Sequence, residues 1–129
     1  MIIDSHCHLT YEPMSNALNE TIDRANKDGI KYMLTISTED KSFEQILKIV
    51  KSYDSVYGTY GIHPHEAKSH QHIKSDDIIN KVNQNKKIIG IGETGLDFYY
   101  NHSEKKDQVY SFEEHISAAQ EKNLPLIVH

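Results

Sequence analysis

A chain of 129 residues, 37% hydrophobic and 26% charged, is long enough for one domain with a real core and too apolar to be disordered. A formal charge of −5 with no long basic run argues against purely electrostatic nucleic-acid binding, though not against a phosphate held through metal ions. The single cysteine, Cys7, forms no internal disulfide, no apolar run reaches the roughly eighteen residues of a membrane span, and nothing before Asp4 resembles a secretion signal, so the expected address is cytoplasmic.

Met1-Ile2-Ile3 opens a β-strand that closes on Asp4-Ser5-His6-Cys7-His8-Leu9. Residues two apart on a strand share a face, so His6 and His8 point one way and Cys7, read as a small buried apolar residue, points the other. Ala17, Leu18, Ile22 and Ala25 form a helical stripe over residues 15–28, which Gly29 ends. A buried strand follows over residues 30–35, and the polar cap Ser37-Thr38-Glu39-Asp40 leads to a second helix over about 42–53 with Phe43, Ile46, Leu47 and Val50 inward. Ser55 to Tyr60 is a third strand that runs into Gly61-Ile62-His63-Pro64-His65. Ser75-Asp76-Asp77 caps a third helix to about Asn83. Lys87 to Gly92 is a fourth strand, with Gly92-Glu93-Thr94-Gly95-Leu96-Asp97 read as the loop after it. The fourth helix spans about Glu104 to Lys122 with Val109, Phe112, Ile116 and Ala119 inward, and Leu126 to His129 is a fifth strand.

This β-α alternation, at intervals of about thirty residues, predicts a parallel sheet with right-handed crossovers. It is either an open doubly wound sheet or part of a (β/α)8 barrel, and in both the active site lies at the carboxyl ends of the strands. Metal-competent side chains fall there from four strands: His6 and His8 from the first, His63 and His65 from the third, Glu93 from the fourth and His129 from the fifth. Neutral imidazoles and carboxylates are ligands for divalent cations, and a carboxylate, unlike an imidazole, has two oxygens with which to bridge two of them. His63 is expected to face the site and touch a substrate oxyanion, with His65 behind it in a supporting or structural role. Asp4 either orients a ligand or is a charge at the core rim, and Asp97 either orients a ligand or holds its loop. His70, His72, His102 and His115 are read as solvated or loop histidines.

Asp4-Ser-His-Cys-His-Leu9, Gly61-Ile-His-Pro-His65, Gly92-Glu-Thr-Gly-Leu-Asp97-Phe-Tyr and Leu124-Pro-Leu-Ile-Val-His129 resemble, in order and at compatible spacing, the successive signatures of the TatD-type metal-dependent deoxyribonucleases, which are amidohydrolase-like TIM-barrel hydrolases. The resemblance implies a parallel (β/α) TIM barrel holding two divalent metal ions (Mg²⁺, Mn²⁺ or Zn²⁺). His6, His8 and Glu93 match the ligands of one metal, Glu93 the bridging carboxylate, His129 a ligand of the second, and His63 a residue near the substrate phosphate. It further implies hydrolysis of DNA phosphodiester bonds by metal-activated water, of the 3′-5′ exonuclease type, with Glu93 and His63 as the catalytic residues present.

A complete barrel has eight strands in about 250 residues, with a further histidine and an aspartate ligand at later strand ends in this family. Residues 1–129 therefore read as the N-terminal portion of a single barrel, truncated after strand five. Three functions follow as expectations: a nuclease, a related hydrolase acting on amide, lactone or phosphotriester bonds, or an inactive fragment lacking the later ligands. Two open strand edges predict aggregation or pairing with a C-terminal half or a second copy.

Overall fold

A computed structural model describes residues 1–129. Five strands form one parallel sheet: β1 Ile2–Cys7, β2 Ile30–Thr35, β3 Val56–Tyr60, β4 Ile88–Thr94 and β5 Leu126–Val128. Four helices connect them: α1 Leu18–Lys27, α2 Phe43–Ser52, α3 Ser75–Val82 and α4 Lys105–Lys122. The strand order is β1-β2-β3-β4-β5, each strand pairing in parallel with the next, as in Leu34 against Tyr57 and Thr94 against Val128. A doubly wound sheet reverses its order at a switch point. This one never does, and it curls as the wall of a half-barrel.

The helices lie where their apolar stripes require. Phe43, Ile46, Leu47 and Val50 of α2 and Ile78 and Val82 of α3 are buried, and they join Met33, Val56 and Ile91 of the strands in one core. Gly29 ends the α1 segment at φ +91°, and Asn123 ends α4 in the left-handed conformation at φ +51°. The helix predicted over 15–28 begins as a 3₁₀ turn at Met14–Ala17, and α1 proper starts at Leu18. At the start of α3 it is Asp77, from the predicted capping triplet, whose carboxylate accepts the Lys74 N–H at 2.9 Å.

Two expectations are corrected. The stretch from Gly92 is not a loop at its outset: β4 continues through Glu93 to Thr94. Sequence punctuation by glycine placed the break too early, because these glycines serve close packing. A β-carbon on Gly61 would lie 2.3 Å from the Gly92 Cα, and one on Gly92 would lie 2.4 Å from the Ile127 carbonyl oxygen. The second correction concerns α4. Its buried face carries Gln108, Ser111 and His115 with Ala118 and Ala119, while Val109 is exposed and Phe112 and Ile116 only half-buried. The helix turns a polar stripe inward because it packs against the loops at the rim as well as against the sheet, and those loops have backbone groups to satisfy. No helix is long and apolar enough to cross a membrane.

Candidate metal centre

Glu93, next to last in β4, is 7% exposed, with its backbone N–H donated to the Ser37 carbonyl at 2.8 Å. That contact belongs to a layer linking three strand ends: Ser37 N–H donates to the Thr59 hydroxyl at 3.1 Å, which in turn donates to the Gly92 carbonyl at 2.6 Å. The backbone at Gly92 and Glu93 is thereby held, and the two carboxylate oxygens address different partners. Oε2 faces His6 Nε2 at 3.4 Å and His8 Nε2 at 4.0 Å, and Oε1 faces His129 Nδ1 at 3.0 Å and His63 Nε2 at 4.0 Å.

His6 and His8 reach Glu93 together because strand periodicity puts both imidazoles on one face, with ring centroids 5.2 Å apart. Cys7 points to the other side, where its thiol donates to the Leu34 carbonyl at 3.4 Å. It is half-buried, and burial, followed by the charge of Asp4, pushes its pKa up to about 12; it belongs to neither group of converging donor atoms. Asp4 accepts the backbone N–H of His6 at 3.2 Å, holding the strand and not an imidazole. Tyr11 lies flat against His8, with centroids 4.9 Å apart, and its hydroxyl shares a 2.6 Å hydrogen bond with Thr38.

His63, His65 and His129 form the second group. His63 Nδ1 accepts the His65 backbone N–H at 3.1 Å, which leaves the proton of a neutral ring on Nε2, 3.1 Å from His129 Nδ1. Burial, with the neighbouring His129 next, pulls the His63 pKa down to about 4, so the ring is neutral near pH 7. His65 Nε2 donates to Asp97 Oδ2 at 2.7 Å, and the same oxygen lies 3.1 Å from His129 Nε2. Burial lowers the basicity of His129, but its contacts with Glu93 and Asp97 outweigh that and raise its pKa. Asp97 is held far below the usual carboxylate range, first by backbone hydrogen bonding at Tyr100 and then by His65.

Asp97 both orients the imidazoles and holds its loop. Its Oδ1 accepts the N–H groups of Tyr99 and Tyr100 at 3.2 and 3.0 Å. The fully buried Gln108 of α4 accepts the Asp97 N–H at 2.8 Å and donates to the carbonyls of Asp97 at 3.1 Å and Ser103 at 2.8 Å. Sequence reasoning passed over Gln108, and the only signal for it was a polar residue on the helix face toward the site.

His115, expected to be solvated, is fully buried. Its Nδ1 donates to the Ser111 carbonyl at 2.6 Å and its Nε2 accepts the Ile62 N–H at 3.0 Å, one residue before His63. Of the other three, His102 is exposed but stands over His65, with ring centroids 4.5 Å apart. His65 itself joins His63 and His129 directly and does not stand behind them.

Each group, His6 with His8 and Glu93 and His63 with His65 and His129, presents three donor atoms within 4.8 Å of one another. Ligands held by bonds of about 2.0–2.2 Å in tetrahedral or octahedral sites sit about 3–4 Å apart. The 3.4 Å between His6 Nε2 and Glu93 Oε2 meets that spacing while being too long for a strong hydrogen bond. The donor set therefore fits a divalent cation, and Glu93 turns one oxygen toward each histidine group. The groups line an open cleft of about 370 Å³ at the carboxyl ends of the strands.

Residues 3–129 match the family model described as TatD related DNase. The chain is 35% identical over 132 residues to an uncharacterized metal-dependent hydrolase of Buchnera aphidicola subsp. Baizongia pistaciae, covering 99% of this chain and 49% of that protein. It is 30% identical over 128 residues to the 3′-5′ ssDNA/RNA exonuclease TatD of Salmonella typhimurium, again covering 99% and 49%. The crystal structure of the TatD homologue YjjV from Escherichia coli K12 superposes with a TM-score of 0.84 at 26% identity, over 99% of this chain and 50% of that one. The chain thus spans about half the length of the curated relatives it matches.

Proposed function

The chain belongs to the family of TatD-related DNases, and from that premise we propose that it carries the greater part of a two-metal site for hydrolysing DNA phosphodiester bonds from the 3′ end. The observation that carries the reading is the division of Glu93, whose two oxygens each face a separate pair of imidazoles. His6, His8 and Glu93 would hold one cation, and Glu93 and His129 the other. Bound there, the metals supply Lewis acidity toward a phosphate oxygen and a lowered pKa for water. Mixed imidazole and carboxylate donors suit Zn²⁺ or Mn²⁺ better than Ca²⁺, with Mg²⁺ a further option.

The chain's own residues do the rest. Neutral His63 presents Nε2–H into the cleft and donates to a phosphate oxygen without bringing a positive charge that would compete with the cations. His129, set between Glu93 Oε1 at 3.0 Å and Asp97 Oδ2 at 3.1 Å, has its ring orientation fixed from both nitrogens and would offer an imidazole nitrogen to the second cation. Asp97, ionised and held by the Tyr99 and Tyr100 N–H groups, fixes the ring planes of His65 and His129. The exonuclease character rests on the name of the Salmonella relative.

The test combines metal binding with turnover. Purified chain dialysed against Zn²⁺ or Mn²⁺ is expected to retain two ions, and 5′-labelled single-stranded DNA to shorten from its 3′ end, with EDTA stopping the reaction. Retention of two ions with hydrolysis of lactone or amide substrates in place of DNA would overturn the substrate class. Failure to retain any ion would overturn the site.

A further inference from the structure

The loop after β4 presents three neighbouring aromatic side chains at its surface. Tyr99 is 88% exposed and Tyr100 64%, and Phe98 beside them is 44% exposed. Their backbone is nonetheless fixed, by the Asp97 carboxylate on the two tyrosine N–H groups and by Gln108 beneath Asp97. The rings continue into the cleft. From His63 the next centroid is His65 at 4.4 Å, then His102 at 4.5 Å, then Tyr100 at 6.0 Å and nearly parallel to His102, then Tyr99 at 4.9 Å. Tyr100 and His102 lie parallel, while Tyr99 meets Tyr100 and His65 meets His102 edge to face, so a fixed turn carries three exposed rings beside the cleft and joins it through His65.

Charge gives the ledge its direction. Beyond the ends of β2 and β3 the cleft is lined by Glu39 and Glu66, whose carboxylates repel a phosphodiester chain, Glu39 being partly offset by Lys41 at 3.3 Å. On the β4 side the Lys105 ammonium lies 4.9 Å from the centre of the Phe98 ring, and its acidic neighbour Glu104 is paired with Lys106 at 3.0 Å. We infer that Tyr99, Tyr100 and His102 form a base-stacking ledge by which single-stranded nucleic acid enters the cleft, its unpaired bases lying on the rings while its terminal phosphodiester reaches the metal groups. A duplex keeps its bases stacked on each other and offers none to such a ledge, so selection for single strands follows from the rings. The inference rests on the phosphodiesterase reading above and names how that site takes its substrate.

The test measures binding apart from cleavage. A fluorescent, phosphorothioate-linked oligothymidylate that resists hydrolysis is titrated with the metal-loaded full chain, beside an abasic chain of equal length and a duplex. The oligothymidylate is expected to bind more tightly than either comparator. Tyr99→Ala and Tyr100→Ala are each expected to weaken it by about tenfold, the loss of one stacked base, and to leave the abasic chain alone. Tyr99→Phe, which keeps the ring, is expected to restore binding. Equal losses for the thymidylate and abasic chains, no loss at all, or equal affinity for the duplex would overturn the ledge. If the wild-type chain binds the thymidylate through its rings yet releases no nucleotide from natural DNA, the ledge stands and the hydrolytic reading falls. If it hydrolyses DNA while the alanine variants bind unchanged, the reverse holds.

Discussion

The two histidine groups are built in opposite ways. His6 and His8 come from a single strand, and their side chains are 43% and 26% exposed. Asp4, two residues away, supplies a backbone anchor for the first of them. His63, His65 and His129 come from the ends of β3 and β5, and what orders them is Asp97 from the β4 loop, itself gripped by Gln108 of α4. One group is local geometry. The other exists only when three strand ends and a helix have docked. A perturbation of the core or of the rim loops should therefore reach the second group and spare the first, while Glu93, common to both, should be the one position whose loss removes both.

Glu93→Gln is the most severe test. It keeps size and one acceptor oxygen but removes the charge and the second acceptor. Both ions are expected to leave, and phosphodiester hydrolysis to fall well beyond the roughly 100-fold that loss of a supporting residue produces. Retention of one tightly bound ion would show that one histidine group is sufficient without the bridge.

His115 separates fold from site through pH. Burial, against its bond to Ser111, holds its pKa down to about 4, while in the unfolded chain it titrates near 6.5. The unfolded state thus takes up a proton first as pH falls. Native stability is full above about 6.5, declines between there and about 4, and changes no further from this group below that, for a total of about 3 kcal/mol. Urea melts over this window should show the decline, and His115→Gln should make it shallower, leaving the share of His63, which is held down to about 4 in the same way. An unchanged slope in the variant would locate the acid sensitivity elsewhere. Gln108→Leu has a smaller expected effect, about 2 kcal/mol from unpaired Asp97 and Ser103 groups, with turnover down about tenfold as Asp97 loosens. In the variant, ion release should be confined to the His129 side.

The same contrast explains how far the sequence could be read. The alternation of strands and helices, the parallel sheet and the rim position of His6, His8, His63, Glu93 and His129 all follow from periodicity, and periodicity is local. His115 and Gln108 carried no such sign. A histidine in a polar helix reads as solvated until the Ile62 N–H beneath it is seen to need an acceptor. The α4 stripe of Val109, Phe112 and Ile116 misled for the same reason, since apolar spacing identifies the buried face only where the neighbour is apolar. Glu93 was placed correctly on the rim but in a loop, because the glycines that let β3, β4 and β5 approach have the same letter as glycines that turn a chain.

Asp4→Ala should matter least, and its smallness sharpens the contrast. The carboxylate accepts only the His6 N–H, at 3.2 Å, in a stretch where water can replace it. Stability should change by no more than about 0.5 kcal/mol, as for other surface substitutions. Because Asp4 also contributes, after burial, to the raised pKa of Cys7, alkylation of that thiol by iodoacetamide should speed up slightly in the variant while remaining slow. Both ions should stay bound, since the His6 and His8 rings are aimed by the strand and not by Asp4. Loss of the ion on the His6 side in Asp4→Ala would mean that the first group also depends on a support outside its own strand geometry, and the division between a local and an assembled half of the site would then fail.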